Sequence, residues 1–106
     1  MTDPAQVDAL LACIDEEYED LGYVGLYQFS WCQRSPDHRP PPDVVAATAR
    51  AAYEEFRRRT PTTLVWLAWP AADPDTAVPA DDDTVPVLDM DPDRPVSEPF
   101  LALIPA

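Results

Sequence analysis

Between Pro4 and Leu21 the apolar residues return at helical spacing. Val7, Leu10, Leu11, Ile14, Tyr18 and Leu21 fill an arc of about 100° around a helix axis, and Asp8, Asp15, Glu16, Glu19 and Asp20 occupy the other side. Asp3 stands at the capping position, Pro4 suits the first turn, and Gln6 completes a D-x-x-Q capping box. Gly22 is placed to close the helix in a left-handed conformation. The acids crowd the last turn, where the helix dipole disfavours them by about 0.3–1 kcal/mol each. That mismatch marks this end of the helix as a candidate for use.

The next stretch, "YVGLYQFSWC" (23–32), alternates with period two. As a strand it would put Tyr23, Gly25, Tyr27, Phe29 and Trp31 on one face and Val24, Leu26, Gln28, Ser30 and Cys32 on the other. A loop follows, then a second helical pattern from about 42 to 59, with Val45, Ala49, Ala52 and Phe56 as its buried stripe and Tyr53 on the flank. Glu54 with Arg58 and Glu55 with Arg59 are spaced i,i+4 in the favourable order, and the arginines lie at the negative end of the dipole. Thr60-Pro61 stops this helix. "TTLVWLAW" (62–69) is apolar on both faces and reads as a central strand. With the first strand and the helix between them it makes a strand–helix–strand unit, parallel if both strands share a sheet.

From about 70 to 99 the composition turns to Pro, Asp and Ala. Only "TVPVL" (84–88) offers a short strand there, confined to an edge by Pro86, before the strand-like "FLALI" (100–104). The chain thus reads as one domain, 1–106, with an acidic Pro/Asp-rich loop at about 70–99. The expected fold is α+β or α/β, a two-layer sandwich of two helices on a three- or four-stranded sheet.

Charge changes this picture most. Twenty acidic residues face seven basic ones for a net charge of −13; every basic residue is arginine, and lysine and asparagine are absent. With abundant Ala, Pro, Asp and Arg, that usage indicates a high-GC bacterial genome. Residues 1–21 and 62–106 carry the negative charge and the middle is near neutral. Such a chain repels nucleic acid and anionic membrane and attracts basic proteins or cations. "RRR" (57–59) is the one basic run, and three arginines at a helix end serve the dipole rather than a phosphate backbone. The longest apolar run, "LVWLAWPAA", is too short to span a membrane, and no secretory signal opens the sequence. Cys13 and Cys32 could form one disulfide, but nothing in the sequence requires it; a reducing cytoplasm is the expected location, with both as free, buried thiols.

The candidate chemistry is sparse. Two glycines and no lysine exclude a phosphate-cradling loop and a Schiff-base nucleophile, and Ser30, Ser35 and Ser97 lie in no nucleophile elbow. Cys32 with His38, oriented by Asp37 or Asp43, is the one catalytic constellation left, and it carries no family signature. A zinc site from Cys13, Cys32 and His38 lacks any paired C-x-x-C spacing. Asp89, Asp91 and Asp93 begin a calcium-loop pattern, but Arg94 takes the glycine position and Phe100 the final acid, which leaves at most an irregular, weak cation site. No metal or cofactor is expected.

Two functions therefore compete. One is a small acidic, non-catalytic interaction or regulatory protein that engages a basic protein surface, as inhibitors and immunity proteins do, through Asp15, Glu16, Glu19 and Asp20 and through Asp81, Asp82 and Asp83. The alternative is a metal- or thiol-dependent small enzyme on the acidic loop or on Cys32 and His38. The acids of 71–98 also serve solubility, and that segment tethers the last strand. The aromatic residues of 23–31 read mainly as core. The sequence indicates neither the identity of that basic partner nor an oligomeric state.

Overall fold

A computed structural model describes residues 3–33, 40–68, 74–86, 88 and 99–106. The Asp3 carboxylate accepts from the Ala5 N–H (2.9 Å) and caps α1, Pro4–Leu21. Gly22 closes it at φ 76°, the region glycine enters without a Cβ penalty, and donates its N–H to the Tyr18 carbonyl (2.9 Å). Leu10, Leu11 and Ile14 are buried as the periodicity requires, whereas Leu21 ends on the exposed side.

The predicted strand 23–32 is a correction. Only β1, Val24–Gly25, pairs in a sheet; the chain then turns and forms a short helix, α2, Gln28–Trp31. Two local facts impose the turn. Gln28 Oε1 accepts the Gly25 N–H (2.7 Å), and the Tyr27 ring folds over Gly25, where a Cβ would stand 2.3 Å from Tyr27 Cε1. The period-two faces dissolve with it. Phe29 packs toward the helices, Tyr23 and Tyr27 toward the opposite face of the sheet.

Helix α3, Pro42–Arg59, follows the second helical pattern closely and buries Val45, Ala49, Ala52, Tyr53 and Phe56, with Thr48 as an additional buried position. Strands β2, Thr62–Ala68, β3, Val78–Pro79, and β4, Pro99–Pro105, complete a four-stranded sheet of order β1-β4-β2-β3, antiparallel throughout. β4 pairs along the whole of β2, from Thr62 opposite Pro105 to Ala68 opposite Pro99. Because β1 and β2 each run antiparallel to β4, they are parallel to one another across it. The strand–helix–strand unit is present, with the last strand inserted at its centre.

The edge strand is 78–79; residues 84–86 are not strand. Its Pro79 lies on the sheet edge, where the missing N–H costs no internal ladder bond. Both long strands are apolar on both faces. Leu64, Trp66, Leu101 and Leu103 meet the helices, while Val65, Leu67, Phe100 and Ala102 meet Tyr23, Tyr27 and Trp31. The result is one compact α+β domain, with helices packed on a small sheet and an aromatic cluster closing part of the sheet's far side.

Candidate functional site

The acids of α1 stand on a rigid scaffold. Asp15, Glu16, Glu19 and Asp20 are all exposed, and the last turn of the helix contains no basic residue. Asp15 meets Arg59 Nη2 of α3 at 3.8 Å, a contact between two half-exposed side chains that adds little to stability. Burial raises the pKa of Tyr23, Tyr27 and Cys32, and the charge of Glu17, which is more enclosed than the other acids of α1, adds a smaller push in the same direction. For Tyr27, burial comes first and the total pushes the phenol up to about 12.

Asp81, Asp82 and Asp83 are likewise exposed, in a turn closed by the Thr84 N–H donating to the Asp81 carbonyl (3.0 Å). Asp81 and Asp82 border a polar cleft of about 300 Å³ whose other wall includes Tyr53, Arg57 and Thr62. Arg57 is held there by Tyr53 Oη (3.3 Å) and the Thr62 carbonyl (3.3 Å), its guanidinium 6.0 Å from the Tyr53 ring centre. Residues two apart on a helix diverge by about 200°. Arg59 accordingly faces α1, and Arg57 faces the Asp81 turn. The two acidic groups flank the C-terminal turn of α3 and do not merge into one patch.

The arginine run is occupied within the chain, though in a pattern other than the predicted one. In place of i,i+4 pairs, Arg58 binds Glu55 one turn back at i,i+3, with Nε to Oε2 at 3.0 Å and a second contact from Nη2 to Oε1. The Glu55 carboxyl is held below its usual range by that hydrogen bond.

Cys32 caps α2, and its described neighbour is Cys13 of α1, with 2.8 Å between the sulfurs. Both are free thiols and both are half-buried, less enclosed than the sequence suggested. Of the proposed catalytic constellation, His38 and Asp37 lie outside the described residues and Asp43 sits in the first turn of α3; Asp89, Asp91 and Asp93 of the calcium-like pattern also lie outside the described residues. Among the described residues no group of three or more His, Cys, Asp or Glu is placed to hold a metal ion. No residue periodicity announced the meeting of Cys13 and Cys32. Their closeness depends on α2, which replaced the expected strand.

The aromatic residues of 23–31 are used internally. Phe29 meets Tyr53 and Phe56 edge-on at 5.7 and 6.2 Å between ring centres, and Tyr27 meets Trp31 and Phe100 at 4.7 and 5.5 Å. Tyr23, Tyr27 and Phe29 are buried and Trp31 is partly buried against the cluster that holds Tyr23 and Tyr27, so they do not form an exposed anchor beside the acids. No family model, no curated protein and no solved structure matches this chain.

Proposed function

We propose that this chain is a small, non-catalytic interaction or regulatory protein that works in the cytoplasm and engages a basic surface on a partner protein. The observation that carries the reading is the exposed carboxylate group Asp15, Glu16, Glu19 and Asp20 at a helix end whose dipole already carries negative charge. Folding gives no reason to concentrate acids there, and a basic partner would relieve the repulsion. Asp81, Asp82 and Asp83 add a second exposed acidic group on the far side of the α3 terminus. Engagement of Arg57, Arg58 and Arg59 within the chain supports the view that nucleic acid is not the partner. Among the described residues no helix is long and apolar enough to cross a membrane.

The test is affinity capture from a lysate of the source organism at low and high salt, with the wild-type chain and with the Glu16→Gln, Glu19→Gln, Asp20→Ser variant. The expected result is a set of basic proteins recovered by the wild type at low salt, depleted in the variant, and weakened for both by added salt. Identical recovery by the two chains at both salt concentrations sinks the proposal.

A further inference from the structure

Cys13 and Cys32 are 19 positions apart in sequence, yet their sulfurs lie at 2.8 Å in the fold, with the Cys13 S–H donating to the Cys32 sulfur. A disulfide needs about 2.05 Å, so the pair reaches bonding distance by a movement of less than an ångström. Beside it opens a cavity of about 210 Å³, lined among the described residues by Gln6, Ala9, Leu10, Cys32, Gln33 and Pro40. The amide of Gln33 holds this wall in place, donating to the Phe29 carbonyl (2.8 Å) and the Val45 carbonyl (3.0 Å).

We propose that Cys13 and Cys32 form a reversible dithiol–disulfide site that exchanges with small disulfides of the glutathione class, admitted through the cavity beside Cys32. A thiolate of the pair attacks one sulfur of the reagent RS–SR; the S–S bond breaks, RS⁻ leaves and takes up a proton, and a protein mixed disulfide remains. The second protein thiolate attacks the protein-side sulfur of that mixed disulfide and expels the other RS⁻. Two protein S–H bonds and one reagent S–S bond become one protein S–S bond and two RSH, so the protein gives up two electrons and two protons to the reagent. In a reducing compartment the same steps run backwards and the pair rests as thiols.

Each attack needs a thiolate, and burial, then the hydrogen bond with Cys13, raises the Cys32 pKa. The charge of Glu17 acts in the same direction, and Tyr27 is the other titratable neighbour among the described residues. Exchange therefore accelerates from neutral to mildly alkaline pH. This site is independent of the acidic-face reading.

The experiment treats the reduced full chain with oxidised glutathione, native and in urea, and follows intact mass and the linked peptide after alkylation. The native chain should lose two hydrogens and yield a Cys13–Cys32 crosslink, with the ratio of crosslink to glutathione adduct about tenfold higher than in urea, because folding supplies the local thiol concentration. Cys13→Ser and Cys32→Ser should each stop at a lasting glutathione adduct, and reduced glutathione should restore the wild-type thiols. A native chain that accumulates adducts without the crosslink, or one that crosslinks no better than in urea, overturns the proposal.

Discussion

Helices α1 and α3 have equal length, 18 residues each, both begin with proline, and both pack on the same face of the sheet, yet they are stabilised at opposite ends. α3 has Asp43 in its first turn and Arg57, Arg58 and Arg59 in its last, the arrangement the helix dipole favours, but its N-cap, Pro41, supplies no side-chain acceptor. α1 has a working cap in Asp3 but no basic residue in its last turn, where acids gather in its place. The charges of α3 follow from folding alone. Those of α1 do not, and the contrast separates a surface shaped by stability from one that carries another requirement.

The core beneath the two helices gives the largest effect. Phe56 of α3 is 1% exposed and touches the rings of Tyr18 and Phe29 edge-on at 5.3 and 6.2 Å, so it joins α1, α2 and α3. Phe56→Ala should cost about 3–5 kcal/mol, a large part of the stability of a domain this size. Ile14 of α1 is as deeply buried but is not part of that aromatic network, and Ile14→Ala should cost less, near the lower end of about 2–5 kcal/mol. Urea unfolding of both variants checks the order. If Ile14→Ala proved the more damaging, α1 rather than α3 would anchor the layer.

The same contrast explains what could be read from sequence. Both long helices announced themselves because apolar spacing, proline starts and stop signals agreed over many residues. Strands β2 and β4 were legible as short apolar runs bounded by proline or polar residues. The stretch from Tyr23 to Ser30 was not, because eight consecutive buried residues leave no period to distinguish strand from helix. What decided it was the Gln28 acceptor on the Gly25 N–H and the ring of Tyr27 over that glycine. β3 was misplaced for a different reason. The edge forms where the chain reaches the free side of β2, and the intrinsic preference of the Val-rich 84–88 does not govern that. Exposure of the α1 acids followed from helical geometry alone. The Cys13–Cys32 pair did not, since it requires α2 to be seated against α1.

The N-termini offer a smaller test of the comparison. Asp3→Ala removes the acceptor of the Ala5 N–H and should cost about 1 kcal/mol. Pro41 already has the extended backbone of a cap residue, with φ −55° and ψ 146°, so Pro41→Asp can supply α3 with the acceptor it lacks. That gain is offset by about 0.4–1 kcal/mol, because removing a proline widens the unfolded ensemble. Thermal unfolding should therefore show a clear loss at Asp3 and a near-neutral result at Pro41. Equal and opposite shifts would mean that proline does little for α3 before it folds.

The smallest effect lies at the C-terminal turn of α1, and it bears most directly on function. Glu16→Gln, Glu19→Gln and Asp20→Ser remove three negative charges from the disfavoured end of the dipole while leaving Asp15 in its contact with Arg59. The combined gain should be no more than about 1 kcal/mol, since exposed charges are screened by water and salt. It should also shrink as salt rises, because the repulsion being relieved acts over about 8 Å at physiological ionic strength. The matching change on the other helix has the opposite sign: Arg59→Gln removes a favourable charge from the end of α3 and the partner of Asp15, and should lower stability slightly at low salt. Denaturation at two salt concentrations measures both. A gain in one helix and a loss in the other, both fading in salt, would place the electrostatic cost in α1. If the triple variant is no stabler at low salt, the acids impose no cost on folding, and their position ceases to argue for a partner.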